Sequence, residues 1–163
     1  MQIVLERFNW KIVSADLLLV GAACLIPAVS HITALPLYKV DPMRWLLLAG
    51  ILLSARRGNG YVLAAALPLV ACMVSGMPTP VKAFIMALEL GANVALFHIL
   101  EKKVPVLPAM LLAILGAKMV YYLLKWIVLS PTVLISTNVW MQLMLMVAMS
   151  LFFTFGMKVR EAK

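Results

Sequence analysis

Acidic residues are scarce in this chain. Six Asp and Glu stand against fourteen Lys and Arg, a formal net charge of +8 over 163 residues. Cysteine and histidine are sparse too, at two each. Cys24 and Cys72 lie in different apolar runs without metal-ligand spacing, which leaves them as small packing hydrophobes. His31 and His98 are 67 residues apart with no His-x-x-x-His pattern, so no metal site is expected. No lysine precedes Ser or Thr, so the Gly-x-x-x-x-Gly-Lys-Ser/Thr phosphate loop is absent, and with it that route to ATP hydrolysis. Gly-x-Ser-x-Gly and His-Glu-x-x-His are also missing. The twelve methionines are scattered through apolar runs rather than clustered on outward loops, which fits packing and not copper binding.

What the chain has in excess is apolar surface. Sixty-five per cent of it is hydrophobic, and its mean hydropathy is +1.07. A soluble domain is about 45–50% apolar. One globular core of this size cannot hide the surplus, so the bilayer is the expected solvent. The length suits a single membrane domain. The positive charges sit mainly at the ends of apolar runs, which indicates membrane orientation and not a nucleic-acid partner. Met1 to Lys11 is polar and mixed, unlike a cleavable signal peptide.

Six spans are expected, over residues 12–31, 42–56, 60–77, 81–100, 104–126 and 137–157; a crossing needs about 20 residues. The second is short, with Pro42 suited to its first turn. It either tilts or begins below the outer surface. Pro68 should kink the third span, and Pro27 should bend or end the first. The expected fold is thus all-α: an integral membrane bundle of six transmembrane helices. An even number of spans puts both termini on one side. That side carries Arg7, Lys11, Arg56, Arg57, Lys102, Lys103, Lys158, Arg160 and Lys163, and Lys/Arg-rich loops stay cytoplasmic. The first loop (32–41), the Gly76-Met77-Pro78-Thr79-Pro80 turn and the Ser130–Asn138 connection then face outside. Lys39, Arg44, Lys82 and Lys125 defy the bias. They either snorkel to the interface or form an outward anion-binding surface.

Polar residues inside the spans carry the functional information, because charge in hydrocarbon is costly. Glu89 lies two turns, about 10.5 Å, deeper than Lys82 on one face of the fourth span. Asn93 follows one turn later. Lys118, Tyr121, Tyr122 and Lys125 share a face of the fifth span, and Asn138 and Gln142 share one on the sixth. Lipid exposure would cost about 2.5–3.5 kcal/mol per central charge, so the three stripes are expected to face one another. They either line an outward pocket or tie helices together, as a Glu89–Lys118 pair would. Trp126 and Trp140 could add flat contacts or belong to the interfacial belt. Ser14, Gly21 and Ala28, each seven apart on the first span, form a small-residue face suited to close helix approach, within the bundle or against another membrane subunit.

The chain resembles the substrate-binding membrane subunits, or S components, of energy-coupling factor (ECF) transporters. The likeness runs through Leu37-Tyr38-Lys39-Val40-Asp41-Pro42-Met43, Leu48-Ala49-Gly50 and Ala55-Arg56-Arg57-Gly58-Asn59-Gly60. It continues through Leu67-Pro68 and Ser75-Gly76-Met77-Pro78 to Met86-Ala87-Leu88-Glu89-Leu90. It covers residues 14–102; the last two spans match in hydropathy alone. The resemblance implies a multi-pass subunit of the bacterial cytoplasmic membrane that takes a water-soluble vitamin from outside. Its partners would be a transmembrane coupling subunit and two cytoplasmic ATPases. The family's Ala-x-x-x-Ala docking face is not intact here, and Ser14, Gly21 and Ala28 are the substitute candidates. The family's pocket draws on the first loop and spans four to six, so Lys39, Arg44, Lys82, Glu89, Asn93, Lys118, Tyr121, Tyr122, Lys125, Asn138 and Gln142 are the candidate substrate contacts. The excess of cations there implies an anionic cargo. Pantothenate is the first candidate, ahead of lipoate and folate-like vitamins. A small membrane enzyme and a purely structural subunit are the alternatives. Glu89 with Lys118 is the one pair an enzyme could use.

Overall fold

A computed structural model of the chain describes residues 10–34, 37–54, 56–129 and 139–162. Six α-helices and one short 3-10 turn make up the ordered elements among them, and no strand is present among these residues. The helices are α1 (Trp10–Thr33), α2 (Pro42–Leu53), α3 (Arg57–Ser75), α4 (Pro80–Leu100), α5 (Val106–Leu129) and α6 (Val139–Glu161); the 3-10 turn covers Leu37–Val40. All but α2 are long and apolar enough to cross a membrane. The protein is a multi-pass helical membrane protein.

The helix boundaries follow local chemistry. Pro42 and Pro80 open α2 and α4, where a missing N–H is harmless and the fixed φ suits a first turn. Gly76 closes α3 in the left-handed region, at φ 69°, and its N–H reaches the Cys72 carbonyl at 3.0 Å. Pro27 and Pro68 lie inside α1 and α3, which continue through them. The first span therefore does not end at Pro27. The second span ends at Leu53, and α3 starts at Arg57, so Gly58 and Asn59, expected in a connection, belong to its first turn. At Gly60 a Cβ would stand 3.1 Å from Val94 and 3.3 Å from Ile51, which shows how closely α2, α3 and α4 approach.

Helix α2 is the centre of the packing. Leu47 belongs to one apolar cluster with Ala23, Leu63, Leu67, Leu90 and Val94. Leu48, its neighbour, belongs to a second with Phe97, Met110, Ile114, Met149 and Phe153. Phe97 and Phe153 meet edge to face, centroids 5.1 Å apart. The outer surface is apolar as well: Leu17, Leu18, Leu25 and Ile32 on α1 are all exposed, as lipid-facing residues should be.

The twelve residues of α2 span only about 18 Å, against a hydrocarbon core of about 30 Å. The start of α2 is tied to the middle of the bundle: Asp41, just before it, and Arg44, in its first turn, meet Lys118 and Glu89, midway along α5 and α4. Replacing Gly76 with Ala should lower stability by about 1–2 kcal/mol, because a side chain in the left-handed region clashes with the following carbonyl. Gly58, with nothing within 4 Å of a built Cβ and an ordinary φ, should tolerate Ala. Thermal unfolding of the two variants in detergent, followed by circular dichroism, checks the contrast.

Candidate functional site

Glu89 and Lys118 lie near the middles of α4 and α5. Glu89 is nine residues from Pro80 and eleven from Leu100; Lys118 is twelve from Val106 and eleven from Leu129. Their charged atoms are 3.3 Å apart. The facing of the fourth and fifth polar stripes is therefore realised. The fifth also meets the sixth, where the Tyr122 hydroxyl donates to Gln142 Oε1 at 2.9 Å.

Two further charges complete a quartet. Asp41 precedes α2 in the left-handed conformation, φ 53° and ψ 55°, which Asp tolerates better than most residues. Its carbonyl receives the N–H groups of Arg44, at 3.1 Å, and Trp45, at 3.4 Å. Its carboxylate makes no capping bond to the helix and turns to the cations instead. It accepts from Lys118 Nζ at 2.9 Å and stands 3.2 Å from Arg44 Nη1. Arg44 Nη2 donates to Glu89 Oε1, the oxygen that Lys118 also approaches. Two acids and two bases thus alternate around a closed, charge-balanced square. Arg44 is 1% exposed and Glu89 4%. Stranding one partner of such a buried pair costs about 3–5 kcal/mol.

One turn from Glu89 toward the end of the bundle where α1 begins and α6 ends, Asn93 is completely buried. Among the described residues neither its Nδ2 nor its Oδ1 has a hydrogen-bond partner, and the same is true of Arg44 Nε. The opposite direction leads to a different charge pattern. Helices α4 and α5 run antiparallel, so seven residues outward on each from the Glu89–Lys118 contact bring Lys82 level with Lys125. Lys82 is exposed, whereas Lys125 is only 9% exposed. Among the described residues no carboxylate lies within ion-pair distance of either. The Tyr121 ring bridges the two levels, its centroid 5.6 Å from Lys118 Nζ and 5.9 Å from Lys125 Nζ.

The structure brings Arg44, Glu89, Lys118, Tyr121 and Lys125 into one column, with Asn93 buried at its inner end. Arg44 was expected among the outward cations and instead lies buried, because the short α2 begins at mid-depth. Lys39 is exposed on the 3-10 turn. Trp126 and Trp140 are exposed, as are Ser14, Gly21 and Ala28 on α1. Asn138 lies outside the described residues. Sequence reasoning missed Asp41 as a site residue. Its signal was the Asp41–Arg44 spacing of three at the start of an undersized helix. No group of three or more His, Cys, Asp and Glu that could hold a metal ion occurs among the described residues.

Comparison of the chain with protein-family models, curated proteins and solved structures finds no match.

A double-mutant cycle tests the quartet. Glu89→Leu alone leaves two cations on one acid and should destabilise the protein by about 3–5 kcal/mol. Glu89→Leu with Lys118→Met restores charge balance and should recover about half of that loss. Lys118→Met alone closes the cycle: a loss in the double variant equal to the sum of the two single losses would show that the pair is not coupled.

Proposed function

We propose that this protein is the substrate-binding membrane subunit of an ATP-driven bacterial importer, an S component of the ECF type. Its cargo is a small anion of the vitamin class, bound from the side opposite the termini. The termini face the cytoplasm. A transmembrane coupling subunit docks on the α1 face bearing Ser14, Gly21 and Ala28, and two cytoplasmic ATPases supply the energy.

The observation that carries this reading is the level pairing of Lys82 with Lys125. Like charges set opposite one another repel, and here no acid among the described residues neutralises them. An anion between them removes that repulsion. Its aromatic neighbour Tyr121 offers a flat contact, and the quartet beneath offers a rigid, charge-balanced floor. A carboxylate vitamin such as pantothenate, lipoate or a folate-like molecule satisfies this chemistry.

A second reading, a structural subunit, draws on the closure of the quartet: all four of its charges are spent on one another. Calorimetry separates the two. Purified protein should bind at least one carboxylate from the panel of pantothenate, lipoate and folate. Lys82→Ala/Lys125→Ala should weaken that binding about tenfold or more, the loss of one charge-assisted contact being about 1.5–3 kcal/mol. A well-folded sample that binds no member of the panel favours the structural reading. Unchanged affinity in the double variant removes the anion argument.

Orientation is tested separately, in intact cells and a background with Cys24 and Cys72 replaced by Ala. A membrane-impermeant maleimide should label Met77→Cys from outside, and Lys102→Cys only after the cells are opened.

A further inference from the structure

We propose that buried water, held inward of the ionic square, joins Asn93 of α4 to Arg44 of α2. Asn93 is 0% exposed, and among the described residues neither atom of its side-chain amide has a hydrogen-bond partner. Arg44 Nε is buried and unpartnered as well. An amide or guanidinium N–H that leaves bulk water without gaining a new partner is strongly unfavourable. Buried polar groups that lack a protein partner are met by ordered water. This site lies on the inner side of the square, away from Lys82 and Lys125, and does not depend on the function proposed above.

Glu89 and Asn93 are one turn apart on one face of α4, so their Cβ atoms are about 5–6 Å apart. Arg44 Nη2 already donates to Glu89 Oε1, and Nε–H shares an edge of the rigid guanidinium with Nη2. Both unpartnered groups therefore border the same carboxylate. They do not bond each other directly, and one or two waters span such a gap. The side chains at this level are small. The Glu89–Lys118 contact, with α4 and α5 antiparallel, sets Asn93 level with Ile114, and Ala113 and Ala117, both 0% exposed, flank that position. The Phe97–Phe153 contact, with α4 and α6 parallel, sets Asn93 level with Met149 and Ser150. Ser150 is 1% exposed. Its hydroxyl donates to the Met146 carbonyl at 2.8 Å, which leaves its oxygen able to accept.

The donor and acceptor set selects water over an anion. Asn93 offers two N–H donors and an acceptor oxygen, and Arg44 Nε adds a further donor. Water gives and accepts, so it answers both kinds of group. Chloride or a carboxylate only accepts. It would leave Asn93 Oδ1 unmet and would bury a charge beside a square that is already neutral. The water bridge gives α2 a further tie to the middle of α4, beyond the ion pairs.

Two measurements on the full-length protein in detergent test the site. The first is magnetisation transfer from water to the side-chain amides of isotope-labelled asparagine, read by rotating-frame nuclear Overhauser spectroscopy. Asn93→Gln identifies the Asn93 signal by removing it from the spectrum. The wild type should show dipolar transfer from water to the Asn93 amide protons, of the sign opposite to proton exchange, as expected for water that tumbles with the protein. The transfer should persist in Ser150→Ala, which removes the neighbouring hydroxyl as a relay. The second measurement is thermal unfolding of Asn93→Val, which is close to Asn in size and makes no side-chain hydrogen bond. Loss of the bridge strands Arg44 Nε, so this variant should unfold about 2–4 °C below the wild type. A dry site predicts the reverse, because the variant sheds two unpartnered atoms. Exchange of chloride for gluconate should change neither readout. Absence of dipolar transfer to Asn93, loss of the transfer in Ser150→Ala, or an Asn93→Val variant that unfolds at or above the wild-type temperature overturns the proposal. So does a chloride-dependent unfolding temperature present in the wild type and absent from Asn93→Val, which assigns the site to an anion. Should Asn93→Val fail to fold, the water transfer in the wild type and in Ser150→Ala decides.

Discussion

The ionic square of Asp41, Arg44, Glu89 and Lys118 is the constraint on which the rest of the structure depends. It sits at the middle of α4 and α5, where an isolated charge is least tolerable. Each cation meets both acids, so none of the four can leave without stranding another. Asp41 and Arg44 belong to the start of α2, and the square therefore pins that start at mid-depth. The central place of Leu47 and Leu48 between two apolar clusters goes with that anchoring.

That arrangement also separates what is balanced from what is not. The square is electrically closed. Two helical turns outward, the same faces of α4 and α5 present Lys82 and Lys125 level with one another, and no acid among the described residues pairs with either. A structure that only needed to hold its helices together would gain nothing from the second pair. The contrast between a neutral floor and a cationic mouth is what directs the functional reading toward an anion arriving from that side.

Much of this was legible in the residues. Long apolar runs located five helices to within a few positions, and the stepwise spacing of Lys82, Glu89 and Asn93 put them on one face, as did that of Lys118, Tyr121 and Lys125. The undersized second run even hinted that it begins below the surface. Asp41 and the burial of Arg44 were not legible, for one reason. Counting charges along a chain assigns each to the nearest loop, and both residues adjoin a connection that seemed to lie outside. Only the depth of α2 relative to α4 and α5, a tertiary quantity, brings these two side chains to Lys118 and Glu89. The pairing of Lys82 with Lys125 was similarly hidden, since it depends on the register between two antiparallel helices.

The most direct test of the account is the identity of a small molecule that co-purifies with the protein, read by mass spectrometry after gentle extraction. The account predicts an anion carrying a carboxylate, present on the wild type and depleted from Lys82→Ala/Lys125→Ala. A cationic molecule, or an anion retained equally by both proteins, would contradict it.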